Sequence, residues 1–173
     1  MARGLAIAGL HCTPIAVSPI IAHRHAPLPL RGFRARLDEN GPRTLTAAEI
    51  VAFAREWDPQ AYHTDEEKAR ESPYAGLIAS GWQTAGVAMR LMCDGYLLET
   101  SCVGSPGIDE LRFLKPVRPG DALRFRSTVL ETAASKTRPN RGTVTFRWEV
   151  INQHGEVALS MIGRQLFLRR PGA

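Results

Sequence analysis

The sequence predicts an α+β domain in which one antiparallel sheet wraps a single long helix. The first observation is an apolar stripe, Ile78, Trp82, Ala85, Met89, Met92 and Tyr96, recurring at alternating steps of four and three, which is helical periodicity with one face toward a core. The second is strict alternation further on. Leu123, Phe125 and Val129 alternate with Arg124, Arg126 and Thr128, and Val144, Phe146, Trp148 and Val150 alternate with Thr145, Arg147 and Glu149, the period-two pattern of strands with one buried face. The third is Asn152-Gln153-His154-Gly155, a hairpin turn into Val157, Leu159 and Met161. One long helix followed by consecutive hairpin-linked strands is an α+β plan.

The remaining elements follow in order. A short strand is expected over 31–37. Thr46-Ala47-Ala48-Glu49 reads as a capping box, starting a helix whose apolar face is Ile50, Val51, Phe53, Ala54 and Trp57. Thr64-Asp65-Glu66-Glu67 reads as a second such box, for a short helix ended by Ser72-Pro73. The loop from Asp58 to His63 is thereby held between two helices, and the N-terminus of the long helix presents Gly81.

That loop carries the chemistry. Asp58 stands five residues before His63, and Ala79-Ser80-Gly81 precedes the long helix. A carboxylate and an imidazole on one short loop can hold a single water between them, because imidazole titrates near neutral pH and the carboxylate orients what it binds. A backbone N–H in the first turn of a helix has no intrahelical partner and sits at the positive end of the dipole, so it can polarise a carbonyl oxygen. Activated water beside a polarised carbonyl suits hydration of an α,β-unsaturated acyl group or hydrolysis of a thioester. Each residue alone reads more blandly: Asp-Pro as a turn, His63 as a satisfied core residue, Gly81 as a packing glycine.

The combination resembles the active-site segment of the MaoC-like (R)-specific enoyl-CoA hydratases, whose pattern is D-x-N-P-x-H followed by a small residue or histidine and a glycine opening the central helix. The eighteen residues from His63 to Gly81 match that spacing, and Gly104 to Phe113 and Pro116 to Asp121 resemble the family's later strand and turn. Gln60-Ala61 stands in place of Asn-Pro, and Ser80 in place of the frequent histidine. Gln60 keeps the hydrogen-bonding groups of Asn on a longer arm.

This resemblance implies a single hotdog fold over 31–173, preceded by a flexible or surface-draped extension over 1–30. It implies a hydro-lyase using Asp58 and His63 on water and the Gly81 N–H as oxyanion donor, with Gln60, Tyr62, Ala79 and Ser80 around the substrate. The substrate is expected to be an acyl-CoA thioester, with coenzyme A entering only as part of it and no other cofactor or metal. The chain is expected to form a homodimer or higher homo-oligomer. Two other functions fit the same residues: a hotdog acyl-CoA thioesterase and a non-catalytic acyl-CoA-binding module.

Composition agrees. The 173 residues fit one domain, and the net charge of +5, with an isoelectric point near 9.6, suits a phosphate-bearing ligand. No zinc finger, helix-turn-helix or aromatic RNA-binding signature accompanies that charge, so no nucleic-acid partner is expected. Lys136, Arg138 and Arg141, on a basic loop between two expected strands, are the candidates for coenzyme A phosphate, ahead of Arg112, Lys115 and Arg118. Cys12, Cys93 and Cys102 lack metal-site spacing, and an odd count points to a reducing compartment. The stretch Gly4 to Ala22 is broken by His11, Cys12 and prolines, making it a poor signal core and no membrane span. A cytoplasmic location without membrane association is the expectation.

Overall fold

The computed structural model describes residues 42–169, so the strand expected over 31–37, the extension over 1–30 and Cys12 lie outside the described residues. Strand β1 (Arg43–Thr44) leads into helix α1 (Ala47–Trp57). The capping box is as expected: the Thr46 side chain accepts from Glu49 N–H while the Glu49 carboxylate accepts from Thr46 N–H. Ile50 and Ala54 are the residues of α1 that become buried, and Trp57, expected on the same face, is 68 % exposed. The periodicity places it correctly on the helix wheel, but α1 runs past the edge of the core before reaching it.

A one-turn helix α2 (Ala61–Thr64) follows, then α3 (Glu66–Glu71). The second capping box is corrected. Asp65, not Thr64, caps α3 by accepting from Glu67 and Lys68 N–H, while the Thr64 hydroxyl donates back to the Gln60 carbonyl. Asp accepts both orphan amides with a charged oxygen, which Thr cannot.

Helix α4 (Gly81–Gly95) is the long central helix. Its buried face is Gln83, Thr84, Val87, Ala88, Leu91 and Met92, so the expected stripe holds at Ile78, Met92 and Tyr96, which are buried, and fails at Trp82 and Met89, which are 63 % and 50 % exposed. Two polar residues lie on the core side: Gln83 Nε2 donates to the Glu49 carbonyl while its Oε1 is buried without a partner, and Thr84 Oγ1 donates to the Ser80 carbonyl one turn back. A 3-10 turn (Leu97–Glu99) then leads to the sheet.

Strands β2 (Cys102–Phe113), β3 (Ala122–Ala134), β4 (Arg141–Ile151) and β5 (Val157–Leu168) complete a five-stranded antiparallel sheet of order β1-β3-β4-β5-β2. The alternation holds: Val144, Phe146, Trp148 and Val150 are buried on β4. Fully burying side chains such as Phe146, Phe167 and Leu159 contributes roughly 1.5–3 kcal/mol each. Gly163 on β5 is glycine for lack of space, since a Cβ there would lie 2.9 Å from the Trp148 ring and 3.1 Å from the Gly107 carbonyl. The sheet curls around α4, whose buried face joins one core cluster with β3, β4 and β5. That is the hotdog arrangement. Strand β2 has β5 on one side and no strand on the other among the described residues.

Candidate active site

Asp58 sits at the C-cap of α1, its N–H donating to the Ala54 carbonyl at 2.9 Å. The chain then folds back on itself: Gln60 N–H donates to the Asp58 carbonyl and His63 N–H to the Gln60 carbonyl, which winds Ala61–Thr64 into α2. Asp58 therefore caps the end of α1 and His63 lies within α2, rather than both on the loop expected between two helices. The turn carries His63 into the interior, where it is 5 % exposed.

The histidine's protonation pattern follows from its contacts. Nδ1 lies 2.8 Å from the Ile78 carbonyl. A carbonyl only accepts, so Nδ1 carries the hydrogen and Nε2 of the neutral ring is bare. Nε2 faces Asp58 Oδ2 at 3.4 Å. With Nε2 and Oδ2 both able to accept, a water held beside the pair can give one hydrogen to each.

Asp58 is held as an anion. Ser80 Oγ donates to Oδ2 at 2.7 Å and Gln60 Nε2 to Oδ1 at 2.8 Å. The Ser80 hydrogen bond is the main cause that keeps the carboxyl below the usual carboxylate range; burial opposes it, while the Gln60 hydrogen bond assists. Ser80 is wholly buried and also caps α4, accepting from Trp82 N–H at 3.2 Å. The residue that starts the helix is thus the one that orients the acid.

Gly81 is the first residue of α4, and among the described residues no acceptor stands against its N–H. Its backbone φ is not positive, so glycine is required by space alone: a Cβ there would lie 2.7 Å from the Phe113 ring. Phe113, at the end of β2, packs edge-on to Trp82 and is about half exposed. Beneath it opens a cavity of about 440 Å³ lined by Asp58, Gln60, Tyr62, His63, Ala79 and Gly81. That volume admits an acyl group and its thioester carbonyl, while a nucleotide-bearing carrier must extend outside.

Of the expected residues, Asp58, His63, Gly81, Gln60, Tyr62 and Ala79 converge on this cavity, and Ser80 stands behind the acid. The structure does not bring Lys136, Arg138 and Arg141 to it. Their hairpin lies beside Leu168, through the register Arg141↔Leu168, whereas the cavity touches Ala158 at the start of β5. At about 3.3 Å per residue the separation is roughly 30 Å. In the second basic group, Arg112 pairs with Glu110 and Arg118 donates to the Tyr74 carbonyl, while Lys115, bonded to Glu156, lines the cavity. The sequence reading missed Tyr74, Trp82, Thr84 and Phe113 as lining residues. For Phe113 the sequence signal was its place at the end of the segment Gly104 to Phe113, which resembles the family's later strand. Among the described residues no group of three His, Cys, Asp or Glu could hold a metal ion, and no helix is long and apolar enough to cross a membrane.

An acid and a buried imidazole beside an open helix start, within a hotdog sheet, make up the candidate site. The family model described as MaoC like domain matches residues 33–151, and the chain belongs to that family. The crystal structure of the MaoC-like dehydratase from Rhodospirillum rubrum is 43 % identical, covers 75 % of this chain and 88 % of that one, and superposes with a TM-score of 0.69. Uncharacterized protein YdeM of Bacillus subtilis is 33 % identical over 106 residues, 61 % of this chain and 73 % of that protein. Mesaconyl-CoA hydratase of Cereibacter sphaeroides is 38 % identical over 65 residues, 38 % of this chain and 19 % of that much longer protein. Family membership supports hydratase or dehydratase activity in the broad sense.

Proposed function

We propose that the protein is an (R)-specific hydro-lyase acting on enoyl-CoA and 3-hydroxyacyl-CoA thioesters. One observation carries this reading: His63 Nε2 and Asp58 Oδ2, both acceptors, face each other at 3.4 Å in the cavity that Gly81 also lines. In the hydration direction the water between them is deprotonated as its oxygen bonds to the β carbon. The π electrons move toward the thioester oxygen, where Gly81 N–H and the helix dipole meet the growing negative charge. The proton taken by the pair is then delivered to the α carbon on the same face, so the addition is syn and the pair returns to its starting state. Asp58 and His63 act as one titrating unit in this cycle. Coenzyme A arrives as part of the substrate, and no resident cofactor takes part. The relatedness to a hydratase named for a CoA thioester favours that substrate class.

Assembly completes the reading. The edge of β2 that carries no strand among the described residues and the exposed apolar side chains Trp82, Met89, Ile108 and Phe113 suit a second copy of the chain paired edge to edge. Antiparallel pairing of two β2 strands sets the Cys102 end of one beside the Phe113 end of the other. The partner's hairpin bearing Lys136, Arg138 and Arg141 then lies at the same end of the sheet as this chain's cavity, where it can meet the coenzyme A phosphates. The test is incubation with crotonyl-CoA. Loss of enoyl absorbance without free thiol, giving the (R)-3-hydroxy product, is expected; thiol release would show a thioesterase, and tight binding with neither change a binding module.

A further inference from the structure

We infer that Tyr62 is a positioning residue for the acid: through the Gln60 side chain, its hydroxyl fixes which way the Asp58 carboxylate faces. This rests on the hydration reading above and assigns a role to a hydroxyl that does not itself reach the acid.

The argument begins with the Gln60 amide, which has two chemically opposite ends. Nε2 donates to Asp58 Oδ1 at 2.8 Å, and Oε1 accepts from the Tyr62 hydroxyl. A carboxylate can only accept, so Asp58 demands the NH₂ end. Without Tyr62, no other side chain among the described residues holds the other end, and Gln60, which is exposed, is free to turn its amide to solvent. The Tyr62 hydroxyl satisfies Oε1 and so holds the donor on the acid.

Tyr62 is in turn well fixed. Its ring is half-buried, edge-on to His63 with centroids 4.5 Å apart, tilted on Tyr74 at 5.1 Å, and packed against the core; its carbonyl accepts from Ile78 N–H. Burial, with Tyr74 and Asp58 nearby, pushes its phenol above the ordinary range, so the hydroxyl keeps its hydrogen.

The consequence lies in the lone pairs of Asp58. With Gln60 on Oδ1 and Ser80 on Oδ2, each oxygen has one donor and the carboxylate cannot rotate. The remaining lone pair of Oδ2 stays aimed at His63 Nε2, where the reacting water is held. Loss of the Gln60 donor both frees the carboxylate and removes one cause of its lowered pKa. The other titratable groups facing Asp58 from around the cavity are His63 on α2, Tyr74 after α3 and Lys115 after β2; α4 presents none.

The test uses the full chain in three variants: Tyr62→Phe, Gln60→Leu and the double. Tyr62→Phe is expected to lower kcat about three- to tenfold with KM little changed, and to move the acid limb of the kcat profile to higher pH. The double variant is expected to match Gln60→Leu alone, because Tyr62 acts only through that amide. Titration of Asp58 by carbon-13 carboxyl NMR, assigned by the signal lost in Asp58→Asn, should show the same upward shift and requires no turnover. Wild-type protein without hydratase activity would overturn the proposed function, while the NMR arm would still decide this proposal. An unmoved Asp58 titration in Tyr62→Phe, additive losses in the double variant, a change confined to KM, or an unfolded Tyr62→Phe would each overturn it.

Discussion

The two ends of α4 use polar groups in opposite ways. At its C-terminal end Trp148 Nε1 donates to the Tyr96 hydroxyl, which donates to Gln165 Oε1, while Gln165 Nε2 lies 3.1 Å from Met92 Sδ, all of it buried. Burial pushes the Tyr96 phenol far above its ordinary value, so it stays a neutral hydrogen-bonding group. At the N-terminal end the network stops short of closure. Ser80 and Gln60 satisfy the acid, yet His63 Nε2 meets another acceptor and Gly81 N–H meets none among the described residues. A closed network stabilises and specifies packing, whereas an open one offers a donor and two acceptors to something that arrives. The same helix is an anchor at one end and a site at the other.

Breaking the open end should cost rate rather than stability. Asp58→Asn and His63→Ala are each expected to reduce hydration by roughly a thousandfold, with the double variant little worse than either, since the two act on one water. Steady-state kinetics with crotonyl-CoA checks this, and near-normal turnover in His63→Ala would remove the pair from the mechanism. Gly81→Val is expected to cost on the order of a hundred- to a thousandfold, because the new side chain stands where the thioester meets the N–H. Phe113 must swing away to admit it, which a half-exposed ring can do. The thermal midpoint should therefore move little.

The closed end should show the reverse. Tyr96→Phe removes the acceptor of Trp148 Nε1–H and the donor to Gln165, leaving buried groups unpaired at a cost of about 1–3 kcal/mol. Thermal or urea unfolding should register that loss with kcat unchanged; a large fall in kcat would mean the two ends are coupled along α4.

The smallest effect sharpens the boundary between the two behaviours. Ser80→Ala removes both a helix cap, worth about 1 kcal/mol, and the main cause of the lowered Asp58 pKa. A carboxyl depressed in the folded state contributes stability that is present above its unfolded pKa and lost as pH falls through its folded one. In Ser80→Ala the folded pKa rises, so that contribution shrinks and the acid limb of the pH–rate profile moves to higher pH. Activity measured well above that limb should change only a few-fold.

Much of this was legible in the sequence. The Thr46–Glu49 cap and the β4 alternation needed only local hydrogen bonds and period-two geometry, and both are present. Asp58, His63 and Gly81 were singled out by their resemblance to a family motif, and the structure brings all three to one cavity. The phase of α4 was not legible. Trp82 and Met89 are apolar and helically spaced, and nothing local says that Gln83 will find a partner in the distant Glu49 carbonyl. Trp57 likewise sits at the right angle on α1 but beyond the core's edge.

By itself, then, the sequence determined the start of α1 and the strand alternation, because these depend on neighbours a few residues apart, and it singled out Asp58, His63 and Gly81 through their resemblance to a family motif. Tertiary structure alone decided which face of α4 is buried, that Ser80 holds Asp58 from twenty-two positions away, that Phe113 covers Gly81, and that the basic hairpin stands at the far end of the sheet. Those outcomes depend on which distant groups supply packing and hydrogen-bond partners once the sheet has closed around the helix, and the energy of satisfying a buried polar group outweighs the local pattern of hydrophobicity.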